Sequence, residues 1–141
     1  MPTSAAVESA LAETLAEPGA PEVVSAYLFG SVAEDRAHRE SDVDLGVLLA
    51  WGAHATAAER FDAGIRLAGA VQAALGHTVD LVVLNDAPPL LGRHAVTRGR
   101  RIVCRDERAD HAYVRDVQLR AADLEPWLRR MRELKLRAIR G

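Results

Sequence analysis

The chain has 141 residues, 49% of them hydrophobic, a net charge of −2 and one cysteine, Cys104. That length points to one domain, 1–141, with enough apolar content to bury a real core. The small net charge gives no whole-molecule attraction to nucleic acid, so no direct nucleic-acid partner is expected. A lone cysteine excludes an internal disulfide framework and suits a reducing compartment. The N-terminal stretch lacks a basic region, and Glu8, Glu13 and Glu17 interrupt its apolar residues, so it does not read as a signal peptide. No uncharged apolar run reaches the length of about 18–20 residues that spans a membrane. A cytoplasmic protein with no membrane contact is expected.

In chain order, Ser4 is a candidate N-cap for a first helix that keeps Val7, Leu11 and Leu15 on one face. Pro18-Gly19 ends it. Val23 to Phe29 is almost wholly apolar and reads as a strand buried on both faces. Ser31 to Ala37 reads as a short helix, and Ser41 to Leu49 as the second strand. From Thr56 to Leu75, the set Phe61, Ile65, Ala68, Val71 and Leu75 keeps helical spacing. Thr56 with Glu59 forms a capping box at its start, and Gly76 ends it.

Val79 to Leu84 is the third strand. Asp80, Val82 and Leu84 share one face; Val79, Leu81 and Val83 share the other. Pro88-Pro89 opens a short helix to about Thr97, Gly99 breaks it, and Arg101 to Cys104 reads as a fourth, edge strand. Cys104 is expected to be a small buried hydrophobe. The tail from Glu107 to Ile139 is mostly helical, with Val114, Val117, Ala121, Leu124, Leu128 and Met131 in one stripe. Pro126 is expected to kink it or to start a new helix. The expected class is α/β (α+β): a small mixed sheet of three or four strands flanked by helices, a core over 23–104 and C-terminal helices over 107–140.

Charge is unevenly placed. Up to Gly92 there are 4 basic and 13 acidic residues; from Arg93 onward there are 14 basic and 7 acidic. The plainest account is a solvated helix face whose arginines pair with local carboxylates. A few, with Arg93, Arg98 and Arg100 as candidates, would face a site that holds a polyanion. The five histidines show no metal-ligand spacing.

One stretch carries chemistry: GSVAEDRAHRESDVDL, Gly30 to Leu45. Asp42 and Asp44 are two apart in a strand, so they point the same way, roughly 6–7 Å apart at Cα. Two carboxylates aimed together repel unless a cation lies between them. Mg²⁺ suits that place, because it takes oxygen ligands from carboxylates and phosphates together. Gly30 at a strand end lets a phosphate approach the backbone, and Ser31 adds a hydroxyl and a helix N-terminus.

The glycine–serine pair, ten residues, the DxD pair and a distant strand aspartate, Asp80, together resemble the DNA polymerase β-like nucleotidyltransferases. The run SDVDLGVLL looks most like their minimal (MNT) branch, the antitoxins of HEPN/MNT pairs. The resemblance covers about Val23 to Asp86. It implies a nucleotidyltransferase fold, with ATP as substrate and two Mg²⁺ ions. Gly30 and Ser31 would hold the triphosphate, and Asp42, Asp44 and Asp80 would bind metal and carry catalysis. It further implies AMP transfer to a hydroxyl, a tyrosine, of a HEPN-type toxin partner. Glu34 and Asp35 depart from the arginine and glycine that many relatives carry there. A small-molecule transferase like those acting on aminoglycosides, and a binding-only antitoxin with weak or lost catalysis, stay open as alternatives. So does the choice between a homo-oligomer and a hetero-complex.

Overall fold

The computed structural model describes residues 4–16, 18–30 and 43–140. The short helix expected at Ser31 to Ala37, and the first two residues of the expected second strand, lie outside them. Four strands form one mixed sheet in the order β3-β2-β1-β4: β1 (Val23–Phe29), β2 (Val43–Leu49), β3 (Val79–Val83) and β4 (Arg100–Cys104). β1 runs antiparallel to β2 and to β4, while β2 and β3 are parallel. A parallel pair needs a crossover, and α2 (Ala57–Leu75) supplies it. The other helices are α1 (Ser4–Ala16), α3 (Pro89–Arg98) and α4 (Glu107–Arg140).

The two sheet faces bury two separate cores. On one, Val7, Leu11 and Leu15 of α1, all fully buried, meet Val43, Leu45 and Val47 of β2 and Leu67 and Val71 of α2. Each such side chain contributes about 1.5–3 kcal/mol by leaving water. On the other, Tyr27, Phe29 and Leu48 pack against Ala95 of α3 and against Tyr113 and Val117 of α4. β1 is central and buried along its whole length, as its almost wholly apolar sequence requires.

The helix ends follow sequence chemistry. Thr56 caps α2 by accepting from the Glu59 N–H at 3.1 Å, and Gly76 closes it at φ 65°. The Glu59 carboxylate reaches back to the Ala55 N–H at 2.8 Å, one residue earlier than in a strict capping box. At the end of α1, Arg105 donates to the Leu15 carbonyl, one of those the helix itself leaves unpaired, and to the Ala20 carbonyl in the turn that follows.

Three expectations change. Of the helically spaced set on α2, Val71 is buried, but Phe61 and Ile65 are 65% and 58% exposed. The buried stripe is instead Arg60, Ala63, Gly64, Leu67 and Val71, because β3 leans against Gly64, where a Cβ would press on Val83 at 2.8 Å. Pro126 starts no new helix: α4 runs through it for 34 residues. Proline removes one backbone hydrogen bond, and Pro126 lies past the last buried position of the helix, Ala121. Cys104 is only half-buried, since β4 is an edge strand.

α4 is pinned to the sheet by a buried polar cluster. Asp110, 1% exposed, accepts from the Tyr27 hydroxyl at 2.7 Å and from Arg101 at 3.0 Å, and Arg101 also pairs with Glu107. Burial first, and then the Asp110 carboxylate, raise the Tyr27 phenol well above its ordinary value. Burial likewise pushes Tyr113 up to about 12. Both tyrosines of the chain are thus held neutral by the fold. A raised folded-state pKa gives stability that is complete below the unfolded value near 10 and lost above it. The native protein should therefore show no tyrosinate absorbance at 295 nm near pH 10.5. Its unfolding free energy should fall above pH 10 by up to about 1.4 kcal/mol per pH unit for each tyrosine. A phenolate signal from the folded protein at pH 10 contradicts this.

Candidate active site

The site is built where β2 and β3 run side by side. In their parallel register Asp44 lies opposite Asp80, Leu45 opposite Leu81 and Val47 opposite Val83. Neighbouring strands stand about 4.8 Å apart, and register partners point to the same face. Leu45, Val47, Leu81 and Val83 face α1 and α2. Alternation therefore turns Asp44 and Asp80 to the other face, with Asp80 open to solvent and Asp44 half-buried.

That register is locked at both ends. The Val43 N–H donates to the Thr78 carbonyl at 3.1 Å where the pair begins. Past the end of β3, the chain turns through a short 3₁₀ segment, Leu84–Asp86, and buried Asn85 takes over. Its amide accepts from the Leu49 N–H and donates to the Leu49 carbonyl, both at 2.8 Å, so a side chain continues the ladder where the backbone has left it. Asp86 is held by Arg60 through two bonds of 2.8 and 3.0 Å, and Arg60 also stacks on Trp51.

Gly30 closes the site from the β1 side. Its φ is +78°, in the left-handed region that favours glycine. A Cβ there would collide with Asp44 Oδ2, so the glycine leaves the room that the carboxylate occupies. Phe29, one residue before, is the register partner of Asp44, and His94 of α3 stands edge-on to the Phe29 ring at 5.9 Å.

Of the residues singled out from sequence, Gly30, Asp44 and Asp80 come together here. Ser31 and Asp42 lie outside the described residues. Among the described residues no group of three or more metal-ligating side chains gathers; Asp44 and Asp80 are two of an expected three. The donor chemistry, carboxylate oxygen alone, fits a hard divalent cation. Arg93 and Arg100, expected to face a polyanion, are engaged elsewhere, by Glu125 of α4 and Glu8 of α1. Asn85 and the Arg60–Asp86 pair were not foreseen. The only sequence signal for them is the polar Asn85-Asp86 step directly after an apolar strand.

A small mixed sheet with two carboxylates paired across parallel strands, beside a left-handed glycine at a strand end, has the form of a nucleotidyltransferase fold. Residues 11–108 match the polymerase beta, nucleotidyltransferase family, and the chain belongs to it. A curated relative, the protein adenylyltransferase MntA of Shewanella oneidensis, is 37% identical over 84 residues, covering 58% of this chain and 55% of that protein. The chain thus spans about half the length of the curated relative it matches. Among solved structures, a toxin–antitoxin with AMP-PNP aligns over 95% of this chain and 98% of its own, with 25% identity and a TM-score of 0.68. The MNT antitoxin bound to tri-AMPylated HEPN toxin of S. oneidensis shares the fold, with a TM-score of 0.64 at 22% identity over 99% of this chain and 100% of its own. Among the described residues no helix is long and apolar enough to cross a membrane.

Gly30→Ala should be costly out of proportion to its one added methyl. The left-handed backbone alone costs about 1–2 kcal/mol, and the collision with Asp44 adds to it. Urea unfolding measures the sum; a change below about 0.5 kcal/mol means that Gly30 does not hold this conformation.

Proposed function

We propose that this chain is an adenylyltransferase that moves AMP from ATP to a tyrosine hydroxyl of a HEPN-type toxin and so serves as its antitoxin. The observation that carries the reading is the register pairing of Asp44 with Asp80, with Gly30 against Asp44. Support comes from the 37% identical relative, itself a protein adenylyltransferase, and from the toxin–antitoxin structure solved with AMP-PNP.

In this reading Asp42, Asp44 and Asp80 hold two Mg²⁺ ions, and Gly30 and Ser31 receive the triphosphate. Bound Mg²⁺ offsets the charge of the triphosphate and makes the acceptor hydroxyl a better nucleophile. Asp44 is walled in by Gly30 and by its strand neighbours, so its carboxylate is fixed before substrate arrives. Asp80 is exposed at the sheet edge, where an acceptor can reach it, and it takes the hydroxyl proton. The acceptor oxygen bonds to the α-phosphorus, the bond from that phosphorus to the bridging oxygen breaks, and pyrophosphate leaves with the electron pair. Cytoplasmic ATP is the substrate this reading requires, which sets the compartment.

The experiment pairs the purified chain with a purified HEPN-type toxin and MgATP, reading intact mass. The wild type should add one or more AMP groups to the toxin. Asp44→Asn and Asp80→Asn should each lower the rate by at least about 100–1,000-fold, the scale on which removing one positioned electrostatic group acts. Asp80→Asn should not lower stability, because it relieves repulsion between neighbouring carboxylates. Wild-type rates in both variants would refute the assignment. Toxin neutralisation that survives both substitutions would favour a binding-only antitoxin.

A further inference from the structure

Among the described residues, sheet order leaves β3 at an edge: it pairs with β2 on one side only. Its outer edge is a row of backbone N–H and C=O groups beside a groove of about 690 Å³. β3 itself and Phe61, Gly64, Ile65 and Ala68 of α2 line that groove, and its acidic members are Asp80 and Asp86. Asp86 is already held by Arg60, so Asp80 is the carboxylate left for chemistry at this edge. Phe61 and Ile65 are more than half exposed although they are large and apolar. An exposed apolar wall next to an open strand edge, continuous with a reactive carboxylate, is a combination that neither feature explains alone.

We propose that the acceptor protein presents its hydroxyl by adding an extended segment to β3 as a fifth strand. The geometry follows from alternation. A residue placed opposite Asp80 points to the face that Asp44 and Asp80 share. Its two sequence neighbours then point to the other face, the one α2 covers, and meet Phe61 and Ile65. Backbone pairing supplies affinity and the alternate apolar side chains supply selectivity, which is how strand addition works at other sheet edges. The acceptor hydroxyl residue is therefore flanked on both sides by apolar residues. Nothing in the adenylyl-transfer chemistry itself demands that flanking pattern.

This inference rests on the function proposed above, and two readouts separate them. Amide hydrogen exchange reads docking alone: binding of the full-length HEPN-type toxin should slow exchange over residues 80–83. AMP transfer reads the chemistry. The double variant Phe61→Glu/Ile65→Glu changes only exposed positions and should keep the fold. It should raise the KM for the toxin at least tenfold, with kcat and AMP-PNP affinity unchanged. Protection of residues 80–83 together with that KM shift supports strand addition. Unchanged exchange at β3, or an unchanged KM in the double variant, overturns it even if AMP is transferred. A variant that alters only self-association, with transfer untouched, assigns the groove to a second copy of this chain and equally overturns the proposal. Protection at β3 with no AMP transferred by the wild type keeps the docking and removes the enzymatic reading.

Discussion

Everything at the site depends on a register. Asp44 and Asp80 stand side by side because β2 and β3 are parallel and aligned residue for residue over five positions. Side chains in a strand alternate, so a slip of one residue would send Asp80 to the opposite face, into the α2 packing. Two neighbouring carboxylates gain nothing from each other; they repel. The packing behind them resists that repulsion. Leu45, Val47, Leu81 and Val83 interlock with α2 on the far face, and Asn85 ties the end of β2. The chemistry of one face is thus set by the core of the other.

The parts legible in the sequence were those whose signal is local. β1 is an almost wholly apolar run, and α2 carries a Thr56 cap and a Gly76 stop; both appear with the bounds their residues suggest. The parts that were not legible depend on distant partners. Which face of α2 turns inward cannot be read from periodicity alone when Phe61-Ile65 and Ala63-Leu67 offer rival stripes. Gly64 and β3 decide it, and the face that carries Gly64 turns inward. Arg60 is buried because Asp86, 26 residues on, awaits it. Arg93 and Arg100 were natural candidates for a polyanion until Glu125 and Glu8 came within reach of them. A carboxylate pair two apart is visible in a sequence; the strand that lies beside it is visible only through the fold.

The buried Tyr27–Asp110–Arg101 cluster shows the same dependence on distance. A charged carboxylate with 1% exposure is tolerable only with strong partners. Tyr27 comes from the central strand, Arg101 from β4 and Asp110 from the first turn of α4. Removing one partner leaves a poorly compensated charge in the core, so the cluster dictates where α4 begins. Beyond Ala121 that constraint ends, and Trp127, Met131, Leu134 and Ile139 are all exposed.

The two sheet edges are therefore treated differently. β4 carries exposed Arg100 and Arg101, is tied by Arg101 to α4, and makes contact with α1 and α3. Charged edge residues and helical cover are how sheets avoid stray pairing. β3 has no such protection on its outer side among the described residues. It keeps one acid, Asp80, in an otherwise apolar strand of Val and Leu. An edge with that composition invites a strand, and it is held in register with Asp44. If the only need were to place a carboxylate, a buried central strand would hold it more rigidly. The edge position gives up that rigidity for access from solvent.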